Sequence, residues 1–221
     1  MPEIAGHYFK EVRKGWTRVE FTDGESLELR REVFSEFGFG NGLTVSADEL
    51  QQALRQSYLR HGRAVALRFL RERPRSTLEI DRRLQRDDLP ADAIAPVLEE
   101  LTLQGHLNDA DFARAWIGFR VDLRPKGMFL IRRELAEKGV AEAVIDAALE
   151  RAYPDEIDVA RPVAENRAAR LAGEEWRTFR QKLGAHLQRR GFARDTIERL
   201  VDETWAVHGG GTESDESDWL D

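Results

Sequence analysis

The sequence predicts a mainly α protein: three tandem three-helix repeats stacked in an elongated, curved array, with a small N-terminal β-hairpin. Three observations carry this. Ile131, Leu135, Gly139, Val140, Ile145 and Leu149 form a skeleton that recurs 51 residues earlier, as Ile80, Leu84, Asp88, Leu89, Ile94 and Leu98. It recurs again 52 residues later, as Leu183, Leu187, Gly191, Phe192, Ile197 and Val201. Its first two apolar positions, four apart, share one helical face, and the Gly or Asp falls where that helix must end. A period near 50 marks helical units that bury their apolar faces by stacking.

The elements follow in order. Residues 1–45 hold the hairpin and its lead-in. Val19 and Phe21 alternate with polar residues, Asp23-Gly24 signals a turn, and Leu27 and Leu29 resume the alternation. Pairing Phe21 with Leu27 and Val19 with Leu29 puts all four on one face, closed by a bulged three-residue loop. Phe34, Phe37 and Phe39 are expected to cover them. Gly38, Gly40 and Gly42 lack the Lys-Ser/Thr that a phosphate loop needs and read as a plain loop. The first repeat, 46–105, opens with the capping box Ser46–Glu49, on a helix that Pro74 stops and that has a possible break at His61-Gly62. A second capping box, Ser76–Glu79, starts its next helix, and Pro90 the third. Gly105 closes it. The second repeat, 106–153, is capped by Asn108 or Asp109 and buries Phe112, Trp116 and Ile117. The third, 154–208, contains Val163, Trp176 and Phe179. Residues 209–221 are Gly-rich and acidic and read as a disordered tail.

Composition excludes several function classes. With no cysteine in 221 residues, disulfides, thiol catalysis and thiolate metal sites are ruled out. No apolar run approaches the roughly 20 residues that span a bilayer, and the N-terminus lacks a signal-peptide core. A cytoplasmic, monomeric protein without membrane contact is the expectation. His7, His61, His106, His186 and His208 are scattered rather than spaced as metal ligands, and the Asp109/Asp111 pair is explained by capping. No catalytic residues, metal or cofactor are assigned. The net charge of −7 hides a basic block: residues 51–86 carry 10 Arg against 3 acids, whereas 209–221 carry 5 acids and no base.

Two motifs carry a resemblance to a known family: Leu101-x3-Gly105-x-Leu107-Asn108-Asp109-x2-Phe112-Ala113, and Gly127-x7-Leu135-x2-Lys138-Gly139-Val140. Over residues 16–208 the chain resembles the RecX regulators of the bacterial RecA recombinase. The resemblance implies three stacked three-helix repeats that bind within the groove of the RecA filament and restrain its recombinase, ATPase and coprotease activities. It implies no chemistry by the chain itself. Asp88, where a Gly is expected, and the acidic tail depart from the commoner pattern.

The candidate contact residues are basic. Arg73, Arg75, Arg124 and Lys126 occupy matched corners, Arg-Pro-Arg and Arg-Pro-Lys, just before helix N-termini that already favour anions. Arg82 and Arg83 in one copy, and Arg132 and Arg133 in the next, extend the theme. These eight would meet the RecA filament or DNA phosphate; the competing reading is a solvated charged face. A second functional reading is a DNA-binding helical protein that contacts the backbone without sequence preference, since few Asn or Gln stand ready to read bases. The tail reads as a solubilising segment, or else as one that folds back onto the basic block and competes with DNA phosphate.

Overall fold

The structure, a computed structural model, describes residues 1–8 and 13–209; the tail reading for 210–221 lies outside them. The fold is mainly α, with ten α-helices among the described residues and a small N-terminal antiparallel sheet. It divides into two compact units, Met1–Asn108 and Asp109–Asp221.

In the first unit, β1 (Ile4–Tyr8), β2 (Trp16–Phe21) and β3 (Ser26–Arg30) form the sheet in that order. The expected hairpin is present with a shifted register: Val19 pairs with Leu27 and Thr17 with Leu29. Gly24 fixes the slip. At φ 89° it must take the left-handed place that ends the loop, where its N–H reaches the Phe21 carbonyl, so Phe21 and Glu25 close the turn. A shift of two residues preserves the faces, and Val19, Phe21 and Leu29 are buried with Phe34 and Phe39, while Phe37 packs against them. Strand β1 was not read from the sequence. It pairs with β2, and Ile4 exchanges backbone bonds with Gly42 and Leu43, which gives the glycine string a purely structural place.

After α1 (Arg31–Glu36), α2 runs unbroken over Ala47–Leu70. The expected break at His61-Gly62 is absent because Gly62 is a contact residue: a Cβ there would lie 2.5 Å from Leu89 Cδ2. Both capping boxes, Ser46–Glu49 and Ser76–Glu79, are formed. Helices α3 (Thr77–Arg86) and α4 (Ala91–Leu103) complete the first three-helix set around Ile80, Leu84, Val97 and Leu101.

The second unit holds α5 (Asp109–Asp122), α6 (Met128–Glu137) and α7 (Glu142–Ala152), then α8 (Glu156–Ala168), α9 (Trp176–Arg189) and α10 (Arg194–His208). A 3-10 turn, Ala169–Leu171, follows α8. One hydrophobic core runs through both sets of helices, and Ile131, Leu135, Leu183 and Leu187 are fully buried in it. The repeat's helix-ending position is left-handed in every copy: Asp88 (φ 59°), Gly139 (78°) and Gly191 (80°).

Candidate functional site: a cationic cleft

Two glycines dock the second copy of the motif against the third. Gly127 donates its N–H to the Arg190 carbonyl at 2.9 Å, and a Cβ on Gly127 would stand 1.9 Å from the Gly191 oxygen. Only a residue without a side chain permits that approach. The Tyr153 hydroxyl holds the same corner, donating to the Lys126 carbonyl at 3.0 Å, and burial raises its pKa. Glu156 fastens the joint from the third copy, accepting from the N–H groups of Met128 (3.1 Å) and Ala193 (2.8 Å) and from Thr196 Oγ1 (3.0 Å). The segment Arg124-Pro125-Lys126 is thereby pinned beside the end of α9.

Between this corner, α8 and α9 lies an open cleft of about 680 Å³. Its cations are Arg120, Arg124, Lys126, Arg167, Arg170 and Arg190, its imidazole is His186, and no carboxylate lines it. Just behind the lining, Glu134 takes hydrogen bonds from Arg120 Nε (2.7 Å), Trp116 Nε1 (2.9 Å) and Lys126 Nζ. Burial alone would raise its pKa, but those three donors win and hold it below the ordinary value. Glu134 thus offsets one positive charge. Arg190 turns inward, donating from Nε to His186 Nε2 at 3.3 Å and from Nη1 to the Pro125 carbonyl at 3.5 Å. Arg124, Arg167, Arg170 and Arg190 have no carboxylate partner among the described residues, and Arg167 Nε is buried without a hydrogen bond. His186 registers the resulting potential: burial lowers its pKa, and Arg190, Arg167, Arg189 and Arg170 lower it further. The potential of such a cleft favours an anion over a cation.

The sequence-predicted contact residues separate into different environments. Arg124 and Lys126 line the cleft. Arg73 is bound by Glu79 at 3.1 Å, and Arg75 lies over the Phe69 ring at 3.6 Å with Nη2 on Glu72 at 2.8 Å. Arg83 meets Asp87 at 3.3 Å, Arg132 meets Glu142 and Asp146, and Arg133 meets Glu137 at 3.3 Å. Arg82 is exposed beside Arg75 and Arg86 in a smaller hollow that also contains Glu79. At an offset of 51, Arg82 coincides with Arg133, but Arg83 falls on Glu134, the buried acceptor. Sequence reasoning missed Arg120, Arg167, Arg170, His186 and Arg190. One signal was present: Arg167 and Arg170 stand three apart, with Leu171 rather than an acid at i+4 of Arg167, while Glu174 at i+4 of Arg170 pairs with Lys182.

Among the described residues no group of three or more His, Asp or Glu could hold a metal ion, and no helix is long and apolar enough to cross a membrane. Three-helix sets built on one repeated plan, with an anion-receptive cleft where two of them meet, define a helical-repeat protein whose surface is suited to binding. Sequence models of the first, second and third three-helix domains of RecX match residues 63–101, 108–149 and 154–201. The chain belongs to the RecX family, a family of regulatory proteins. It is 26% identical over 193 residues to the Regulatory protein RecX of Leuconostoc citreum (strain KM20), covering 87% of this chain and 73% of the relative. It is 27% identical over 214 residues to that of Geobacillus kaustophilus (strain HTA426), covering 96% and 78%. Among solved structures, a crystal structure of regulatory protein RecX matches 91% of this chain and all of its own (100%), with a TM-score of 0.66 at 22% identity. RecX from Lactobacillus salivarius matches 66% of this chain and 96% of its own, with a TM-score of 0.61 at 24% identity. At these identities the structural likeness carries the fold alone.

Proposed function

We propose that this chain binds the RecA–DNA filament and inhibits RecA's recombinase, ATPase and coprotease activities, and that the cationic cleft of the second unit is a contact face. Family membership supports this choice of partner. The single observation that carries the choice of face is the group of four arginines (Arg124, Arg167, Arg170 and Arg190) without a carboxylate partner. A paired arginine must break its ion pair before it can bind a new anion; an unpaired one need not. The mechanism is steric and electrostatic: helical units lie in the filament groove, their arginines engage acidic or phosphate groups, and they hinder subunit addition or a second DNA. No bond is made or broken. The test is DNA-dependent ATP hydrolysis by RecA with increasing amounts of the protein. Inhibition is expected below one protein per RecA subunit. The Arg167→Glu/Arg170→Glu variant should lose most of it, while Arg133→Gln, outside the cleft, should retain it. Equal inhibition by both variants would place the contact elsewhere.

The same unpaired arginines favour a second reading, in which the chain binds DNA backbone on its own. Binding to a labelled duplex without RecA, falling steeply with salt and indifferent to sequence, would support it. RecA inhibition that persists on DNA too short to hold this protein separately would count against it.

A further inference from the structure

The cleft has a candidate occupant within the same chain. We propose that the acidic segment 213–221 docks in the cationic cleft and competes there with external anions. The inference deepens the reading of the cleft as an anion site, and needs nothing from RecA.

The sequence associates the acidic tail with the basic block 51–86, but half of that block's ten arginines are compensated within the first unit: Arg60 by Glu36, Arg63 by Glu100, Arg73 by Glu79, Arg75 by Glu72 and Arg83 by Asp87. In the cleft of the second unit a single carboxylate, Glu134, serves two of six cations, and the cleft lies beside the point from which the tail departs. The last turn of α10 places Val207 and His208 along one flank of α8, where they share a hollow of about 550 Å³ with Pro162 and Asn166. Pro162 and Asn166 also line the cationic cleft. Only the ridge of α8 separates the two, and a helix with its side chains is about 10–12 Å across. From Gly209, a span of six residues extends at most about 20 Å and one of twelve about 40 Å, enough for the acidic residues from Asp215 onward to pass around a ridge of that width. Asp215, Glu216, Asp218 and Asp221 are thus four carboxylates that can face Arg124, Arg167, Arg170 and Arg190. Gly209, Gly210 and Gly211 impose little backbone preference on the turn this path requires.

The magnitude follows from the tether. A short tether presents its ligand at an effective concentration of the order of millimolar. An acidic segment with a dissociation constant of about 0.1 mM would then weaken a competing anion about tenfold. His186 supplies a second readout, because it faces the cleft beside Arg190 and Arg189 of its own helix and Arg167 and Arg170 of the opposite wall. A carboxylate about 7 Å from the imidazole raises its titration midpoint by roughly 0.4 pH unit under water-like screening.

The experiment compares the full chain with two variants: residues 1–209, and a full-length form with Glu213, Glu216→Gln and Asp215, Asp218, Asp221→Asn. His186 is titrated by NMR, and a labelled twelve-nucleotide oligodeoxynucleotide serves as the competing anion. Both variants should bind the probe about tenfold more tightly at low salt, the gain should shrink as salt rises, and the His186 midpoint should fall by about 0.4 pH unit or more. Equal midpoints and equal probe affinities in all three proteins would overturn the proposal. A difference that grows with protein concentration would also overturn it, because it would show that the segment acts between molecules. Removing the cleft's charge with Arg167→Gln/Arg170→Gln should abolish the effect of tail deletion; an undiminished effect would locate the tail elsewhere. None of these outcomes involves RecA, so failure here leaves the filament reading standing.

Discussion

Replacing Gly127 with alanine should damage the protein far more than a single methyl group suggests. The backbone at Gly127 is no obstacle: φ −67°, ψ 154° suits any residue. What forbids a side chain is the neighbour, since the new Cβ would lie 1.9 Å from the Gly191 oxygen and 2.5 Å from the Phe192 nitrogen, both main-chain atoms. Neither can swing aside, so the corner must retreat by more than 1 Å to reach ordinary contact. That retreat breaks the Gly127 N–H bond to Arg190, 2.9 Å long, and loosens the Tyr153 hydroxyl bond to Lys126. Overpacking costs about 1–3 kcal/mol and a lost backbone hydrogen bond about 1 kcal/mol, so a loss of about 2–4 kcal/mol is expected. Urea unfolding followed by tryptophan fluorescence measures it. The control is Gly118→Ala, in mid-helix with nothing within 4 Å of the added Cβ, which should stabilise by about 0.5–1 kcal/mol. A Gly127→Ala protein within about 0.5 kcal/mol of the parent would refute the docking account, for surface changes of no consequence fall in that range.

Other perturbations test other parts of the argument. Gly62→Ala should cost about 1–3 kcal/mol in thermal or urea unfolding, because its Cβ would meet Leu89 of the α3–α4 loop and Val97 of α4. Asp88→Gly should stabilise by up to about 1 kcal/mol, since Asp88 alone among the described non-glycine residues holds a positive φ; a loss would mean that the Asp side chain supports the turn. His61 sits 2.7 Å from Asp87, yet burial outweighs that carboxylate and lowers its pKa. Its contribution is therefore full above the ordinary histidine value and is lost as pH falls through the lowered one, so His61→Gln should flatten the stability profile below about pH 6.5.

The helices, their caps and the left-handed stop in each repeat were legible because each depends on residues close in sequence. Ser46 and Glu49, or Ile131 and Leu135, need only helical geometry to find one another. The hairpin's faces were legible for the same reason, whereas its register depended on which loop position Gly24 occupies. The cleft was legible only in part. Arg124 and Lys126 stand out by repetition, but Arg167, Arg170 and Arg190 join them through contacts between residues 28 to 65 apart, such as Glu156 with Met128 and Arg190 with Pro125. Nor does a sequence display which arginines are already paired. Arg73 and Arg124 are identical in local pattern and opposite in circumstance.

That last difference has a traceable cause. Ser76, the N-cap of α3, corresponds at an offset of 51 to Gly127, the N-cap of α6, and Glu79 corresponds to Leu130. In the first repeat Ser76 and Glu79 form the capping box, and the same Glu79 carboxylate binds Arg73. In the second, Gly127 admits the close approach of Gly191, and the Leu130 side chain fills the space where a Gly191 side chain would lie. Local capping is thereby surrendered; the Met128 N–H is capped instead by Glu156 from the third repeat. The substitutions that dock one repeat on the next thus remove the acid that would have neutralised the corner. Arg124 is left unpaired as a consequence of packing, and the cationic cleft arises where the two repeats join. Restoring the first-repeat pattern there, with Ser at 127 and Glu at 130, would supply a cap and a partner for Arg124. It would also set a side chain against the Gly191 carbonyl and a charge against its Cα, so the joint and the anion site would be lost together.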